Sequence, residues 1–212
     1  MPHTTVAARF EVEERVRGSR FLAVVAPADT PDAAAALLDE MRRRHPDASH
    51  HCSAWRVGEA MAFSDDGEPG GTAGRPMLSV LLKRELDHVA AVCVRWFGGT
   101  KLGAGGLARA YAGTVAKALD GAGQRRVFDM AWLRIRAPFA QADALHRTLD
   151  AWPHLAKEEP SYDAEGITVR VRVRAREAAR LEAVLADVTA GAARAEPSPP
   201  AASGPPDASE RS

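Results

Sequence analysis

Residues 64–76 read SDDGEPGGTAGRP, with four glycines and two prolines in thirteen positions. Neither a helix nor a central strand tolerates that density, because glycine costs backbone entropy and proline removes a donor and fixes φ. A loop must stand there. A second glycine-rich stretch, GGTKLGAGG over 98–106, follows an uncharged run, Val89–Val94. That run has the length and branching of a buried strand. The helices and strands read on either side of these loops make the chain a mixed α+β protein.

The flanking patterns supply the elements. Phe10 to Ala26 reads as a hairpin about the Arg17-Gly18 turn. Thr30-Pro31 opens a helix over about 31–45 as N-cap and first-turn proline. His51–Val57 is a strand that turns at Gly58 toward Met61–Phe63. Met77–Leu86 is helical, and Leu107–Leu119 is a helix with Leu107, Tyr111, Val115 and Leu119 inward, closed by Gly121.

After Arg125-Arg126 the pattern restarts. Trp132–Ala137, His154–Tyr162 and Ile167–Arg174 read as strands, and 140–151 and Glu177–Thr189 as helices. The order βαββα is a ferredoxin-like arrangement without a detectable last strand. The domains are then 1–127, 128–191 and a Pro/Ser/Ala-rich disordered tail over 192–212.

The chain has 28 basic and 28 acidic residues in 212. No global field pulls it onto a polyanion, so any basic surface is local. Residues 1–127 carry +2 and 128–212 carry −2. Two cysteines, Cys52 and Cys93, are too few for a disulfide framework, and no apolar leader or spanning run is present. A cytoplasmic protein without a membrane anchor is expected.

Three clusters carry chemistry. First, the glycine-rich loop with Gly98, Gly99, Thr100, Lys101, Gly103, Gly105 and Gly106, preceded by Arg95 and followed by Arg109, offers backbone N–H groups and cations to an anion. It is no Walker A motif, and its GxGxxA spacing lacks the acidic partner of a dinucleotide site. Glycines that only turn and pack the backbone are the structural alternative. Second, His50, Cys52, Asp65, Asp66, Glu68, Thr72 and Arg75 form a candidate functional loop. Its spacing matches no zinc pattern, so no metal or other cofactor is assigned, and acids that order the loop by accepting its N–H groups are the structural alternative. Third, alternation in 169–174 puts three valines on one side of a strand and Arg170, Arg172 and Arg174 on the other. That row could track phosphates or pair with Glu158, Glu159 or Glu165.

Three blocks together resemble the YigZ/IMPACT family: Gly18–Ala23, Ser64–Pro76 with His50–Cys52 upstream, and Arg95–Tyr111. The resemblance covers about residues 9–126. Gly70 and Trp96 stand where serine and tyrosine are more usual in the family. The resemblance implies an N-terminal domain with the fold of ribosomal small-subunit protein domain 2, shared by a translocating elongation factor and galactokinase-type kinases. It implies a C-terminal domain like the last domain of that elongation factor. Eukaryotic relatives restrain the amino-acid-starvation kinase by binding its activator, whereas the bacterial branch has no agreed activity. The leading expectation is therefore an RNA, ribosome or translation-factor binder without a catalytic residue, or a regulator that binds a protein partner. The alternative is an enzyme that takes a phosphorylated or nucleotide-like small molecule in the glycine-rich loop and uses the acidic loop as base or metal ligand.

Overall fold

The computed structural model describes residues 2–199, and contacts divide them into two compact units, 3–127 and 128–199. The N-terminal unit runs β1 (His3–Val6), β2 (Phe10–Val16), β3 (Ser19–Pro27), α1 (Pro31–Arg44), β4 (His50–Val57), β5 (Ala60–Ser64), α2 (Gly74–Lys83), β6 (Val89–Trp96), α3 (Ala104–Ala122) and β7 (Gln124–Val127). Five strands form one antiparallel sheet in the order β2-β3-β6-β4-β5, and β1 pairs with β7 apart from it.

Local chemistry explains the main elements. Thr30 accepts a bond from the Ala33 N–H at 3.1 Å, and Pro31 starts α1 where its missing N–H costs nothing. Strand β6 is buried on both faces, as its uncharged run Val89–Val94 requires. Its even positions Ala90, Val92 and Val94 meet Leu37 and Met41 of α1. Its odd positions Val89, Ala91 and Cys93 face Met77 and Leu81 of α2 and Leu107, Tyr111 and Val115 of α3. A sheet with helices on both faces results, and both glycine-rich loops lie at element ends on the α2 and α3 side.

Several boundaries differ from expectation. Helix α2 begins at Gly74 instead of Met77, and α3 passes through Gly121 to end before Gly123, whose φ is +65°. Gly121 is needed for another reason: a Cβ there would lie 2.2 Å from the Phe10 ring.

The second unit runs β8 (Met130–Ala137), α4 (Ala142–Asp150), β9 (Ala156–Lys157), β10 (Ser161–Asp163), β11 (Gly166–Arg174), α5 (Ala178–Val188) and β12 (Arg194–Pro197). All pairings are antiparallel, in the order β10-β11-β8-β12, with β9 also on β11. The single strand expected over 154–162 is two short pieces, because Pro160 interrupts the ladder. Both helices pack on one sheet face, Leu145, Leu149, Leu181 and Leu185 meeting Leu133, Ile135, Val169 and Val171.

The tail reading needs correction. Residues 194–197 are an edge strand on β8, with Ala193 and Ala195 in the core, and supply the last strand that the sequence seemed to lack. Proline is tolerated at its end because an edge strand need not donate every N–H. The rest of the expected tail, 200–212, lies outside the described residues. Among the described residues no helix is long and apolar enough to cross a membrane.

Candidate functional site

The two glycine-rich loops are held by one buried polar cluster. Arg95 is the next odd position of β6 after Cys93, so it points into the α2/α3 core and is 4% exposed. Its Nη1 donates to Glu68 Oε1 at 2.6 Å and its Nη2 to Ser19 Oγ at 3.2 Å. The Tyr111 hydroxyl donates to the same Glu68 oxygen at 2.7 Å. Ser19 Oγ also accepts the Gly98 N–H at 3.2 Å, which ties the start of the second loop to the β2–β3 hairpin. Arg95 was expected to contact an external anion. The structure overturns that role, since Glu68 neutralises the guanidinium out of reach of solvent.

The acidic residues of 64–76 each serve the loop. Asp65 accepts from the backbone N–H groups of Gly71, Ala73 and Gly74 at 2.7–2.9 Å. Burial alone would raise the Asp65 pKa, but these donors outweigh it and hold the carboxyl below the usual range. Asp66 accepts the His51 N–H at 2.7 Å and pairs with Arg42 at 3.2 Å. The Thr72 hydroxyl donates to the Pro69 carbonyl. His50 Nδ1 lies 2.8 Å from the Asp66 carbonyl, with Nε2 at 3.9 Å from Glu68. Cys52 donates to the Asp65 carbonyl, and burial pushes its thiol up to about 12, which disfavours the thiolate at neutral pH. His51, on the opposite face of β4, reaches the His45 carbonyl. Arg75 is exposed. The carboxylates of Asp65, Asp66 and Glu68 thus have three separate sets of partners.

Asp65 gives a pH-dependent expectation. Protonation weakens its bonds to three N–H groups. Their stabilisation is complete above the ordinary carboxylate pKa of about 4 and is lost as pH falls through the depressed folded-state value. Asp65→Asn is expected to cost about 2 kcal/mol near pH 7 in urea unfolding. The gap to wild type should shrink below about pH 4. A gap that is constant down to pH 2.5 would show that the charge is immaterial.

The glycine-rich loop divides by role. Gly98 lies against Gly18, where an added Cβ would sit 2.0 Å from the Gly18 carbonyl carbon. Gly99 and Gly103 have φ of +83° and +71°. Gly98, Gly99, Thr100, Lys101, Gly103 and Gly105 are exposed and Gly106 partly so. Arg109, one helical turn on, lies back toward Gly105. Arg17, read from sequence only as part of a turn, joins this surface: it lines a groove with Leu102, Gly106 and Arg109.

In the second unit, Arg170 and Arg172 alternate with buried valines as expected. Arg170 stands beside Glu158 at 3.3 Å and lies over the Trp132 ring, 5.4 Å from its centroid. Arg174 departs from the row. Its guanidinium stacks 4.1 Å from the Phe128 centroid and its side chain is 13% exposed, so little of it is left for a phosphate. Sequence reasoning missed Arg134, Arg136 and Arg194, which pairing places on the same face. Arg134 is the register partner of Arg170, and Arg136 of Arg194 and Thr168.

An Impact N-terminal domain model matches residues 17–119. IMPACT family member YigZ of Escherichia coli (strain K12) is 47% identical over 118 residues, 53% of this chain and 58% of that protein. The chain thus spans little more than half of that relative. The IMPACT family member in the pol 5′ region of Thermus thermophilus is 42% identical over 158 residues, 74% of this chain and 86% of the relative. A crystal structure described only as a hypothetical protein aligns over 92% of this chain and 96% of its own, at 35% identity and a TM-score of 0.64.

Proposed function

The chain belongs to the IMPACT family, and from that premise we propose that it binds a component of the translation machinery, holding RNA on the helix-free face of its C-terminal unit. The observation that carries this reading is the juxtaposition of like charges across the sheet. Arg134 stands opposite Arg170, and Arg136 opposite Arg194. Like charges at directly opposed positions destabilise a sheet, and here carboxylates offset only part of that cost, Glu196 standing opposite Arg134 and Glu158 beside Arg170. A polyanion turns that cost into attraction.

The face is a shallow concavity of about 860 Å³, lined by these four arginines and by the carboxylates of Glu158, Glu159, Asp163, Glu165 and Glu196. Carboxylates are also present: Arg136 pairs with Asp163 at 2.8 Å and with Glu165 at 2.9 Å. Those pairs are half-exposed. Exposed pairs of this kind contribute little, so phosphates can replace the carboxylates as partners. Trp132, register partner of Arg172, adds a planar apolar surface to the same row. The βαββαβ order supports the ferredoxin-like reading of this unit. For the N-terminal unit we keep the ribosomal small-subunit protein domain 2-like reading, and for the compartment the cytoplasm, where the thiols of Cys52 and Cys93 stay reduced.

Salt dependence tests the proposal. Log affinity for a labelled single-stranded or structured RNA, followed by fluorescence anisotropy, should fall linearly with log salt, at roughly 0.7–0.9 per phosphate neutralised. Combined alanine substitution of Arg134, Arg170 and Arg194 should lower that slope by about 2. Undetectable wild-type binding at low salt, or an unchanged slope in the variant, would reject RNA in favour of a protein partner.

A further inference from the structure

A groove of about 290 Å³ runs between the β2–β3 turn and the first turns of α3, lined by Val16, Arg17, Leu102, Gly106, Arg109 and Ala110. Its only charged residues are Arg17 and Arg109, and no acidic residue lines it. Both arginines are exposed, and among the described residues neither has an ion-pair partner. Elsewhere in this unit Arg9, Arg42, Arg44 and Arg84 each sit within 3.2 Å of a carboxylate. Among the described residues Arg15, Arg43 and Arg75 are exposed without an ion pair as well, but at this groove two such arginines line one concavity.

We propose that the groove binds a phosphate group, seated between Arg17 and Arg109. Two guanidiniums facing one concavity repel each other until an anion sits between them, and phosphate suits them best because its oxygens match the planar fork of arginine donors. The remaining lining, Val16, Leu102 and Ala110, is apolar, which fits a ligand whose phosphate carries a sugar or base that can lie against that wall. The pair is held by the fold. Arg17 sits at φ +47° in the tight β2–β3 turn, and Gly18 beside it is in contact with Gly98 of the glycine-rich loop. Arg109 is fixed on α3 by the burial of its neighbours Leu107, Ala110 and Tyr111. The proposal deepens the reading of this chain as a binder of phosphate-bearing ligands, and it concerns the other unit, so the two readings can fail separately.

The phosphate can come from a free nucleotide or from an RNA backbone. Isothermal titration of the full chain with inorganic phosphate, with adenosine 5′-monophosphate and with a short RNA distinguishes these sources. Wild type should bind adenosine 5′-monophosphate at millimolar concentration or below. Arg17→Ala with Arg109→Ala should weaken that binding by more than about tenfold, a loss of 1.4 kcal/mol or more. Arg109→Glu, a charge reversal on an exposed helix position, should abolish it with the circular dichroism melt unchanged. Alanine at Arg134, Arg170 and Arg194 should leave it intact. Tighter binding of the nucleotide than of inorganic phosphate supports a nucleotide ligand that uses the apolar wall. Equal affinity, with RNA binding weakened by the Arg17 and Arg109 changes, supports a backbone phosphate. Absence of binding by wild type to all three probes, or wild-type affinity in the double variant, overturns the site. Nucleotide binding that survives while RNA binding fails leaves the groove standing and removes the polymer reading.

Discussion

Glu68→Ala is expected to lower the stability of the N-terminal unit by about 3–5 kcal/mol, because it strands the Arg95 guanidinium in the core. Arg95 and Glu68 are 4% and 8% exposed, and the guanidinium's other hydrogen bond goes to the neutral Ser19 hydroxyl. Without the carboxylate, Arg95 must either stay buried and unpaired or pull β6 away from α3 to reach water. Tyr111, fully buried, also loses its acceptor. Glu68→Gln keeps an acceptor for the hydroxyl but not the charge, and should fall between the alanine variant and wild type. The pair need not be stabilising as a pair. Replacing Glu68 by Leu and Arg95 by Met together should recover the part of the loss that comes from the stranded charge, while the Tyr111 hydroxyl still lacks its acceptor. Urea unfolding of wild type and the three variants ranks them. A single-variant loss under about 1 kcal/mol would mean that water reaches Arg95 and that the cluster is not a closed core.

This cluster also marks the limit of what the sequence makes legible. Strand β6 and helix α1 follow from local signals, an uncharged branched run and a Thr-Pro start, and the structure has both. Arg95 does not, because a charge after an apolar run normally signals the strand's emergence into water. The period-two rule applied one residue further would have put Arg95 on the face of Ala91 and Cys93. Its partner lies 27 positions away within a loop, and no local pattern announces that pairing. The short strands β1, β7 and β12 were invisible for a related reason. Each is four residues long, with polar or small side chains, and is stabilised by a partner distant in sequence. The arginine face shows the opposite case. Alternation was read in β11 but not in β8, although Leu133, Ile135 and Ala137 alternate there with Arg134 and Arg136 in the same way. Only the register reveals that Arg134 stands opposite Arg170 and Arg136 opposite Arg194.

Gly98→Ala should cost at least about 3 kcal/mol, whereas Gly99→Ala, one residue on, should cost about 1 kcal/mol. The difference lies in what each hydrogen replaces. A Cβ on Gly98 would lie 2.0 Å from the carbonyl carbon and oxygen of Gly18 and 2.3 Å from the Ser19 nitrogen. All three are backbone atoms of a hairpin that cannot rotate aside, so the loop and the hairpin must separate. Separation also breaks the Gly98 N–H bond to Ser19 Oγ and disturbs the Ser19 contact with Arg95, which spreads the damage into the buried ion pair. A Cβ on Gly99 meets nothing within 4 Å and is penalised only by its φ of +83°. Gly18→Ala combines both penalties, with φ +84° and a 2.8 Å approach to the Gly98 carbonyl oxygen, and should resemble Gly98→Ala. Urea midpoints for the three variants rank the causes. Gly98→Ala and Gly99→Ala with equal midpoints would show that the loop swings freely from the hairpin. The glycines would then serve chain flexibility alone, and the Arg17 and Arg109 groove, whose walls this contact holds together, would lose its fixed geometry.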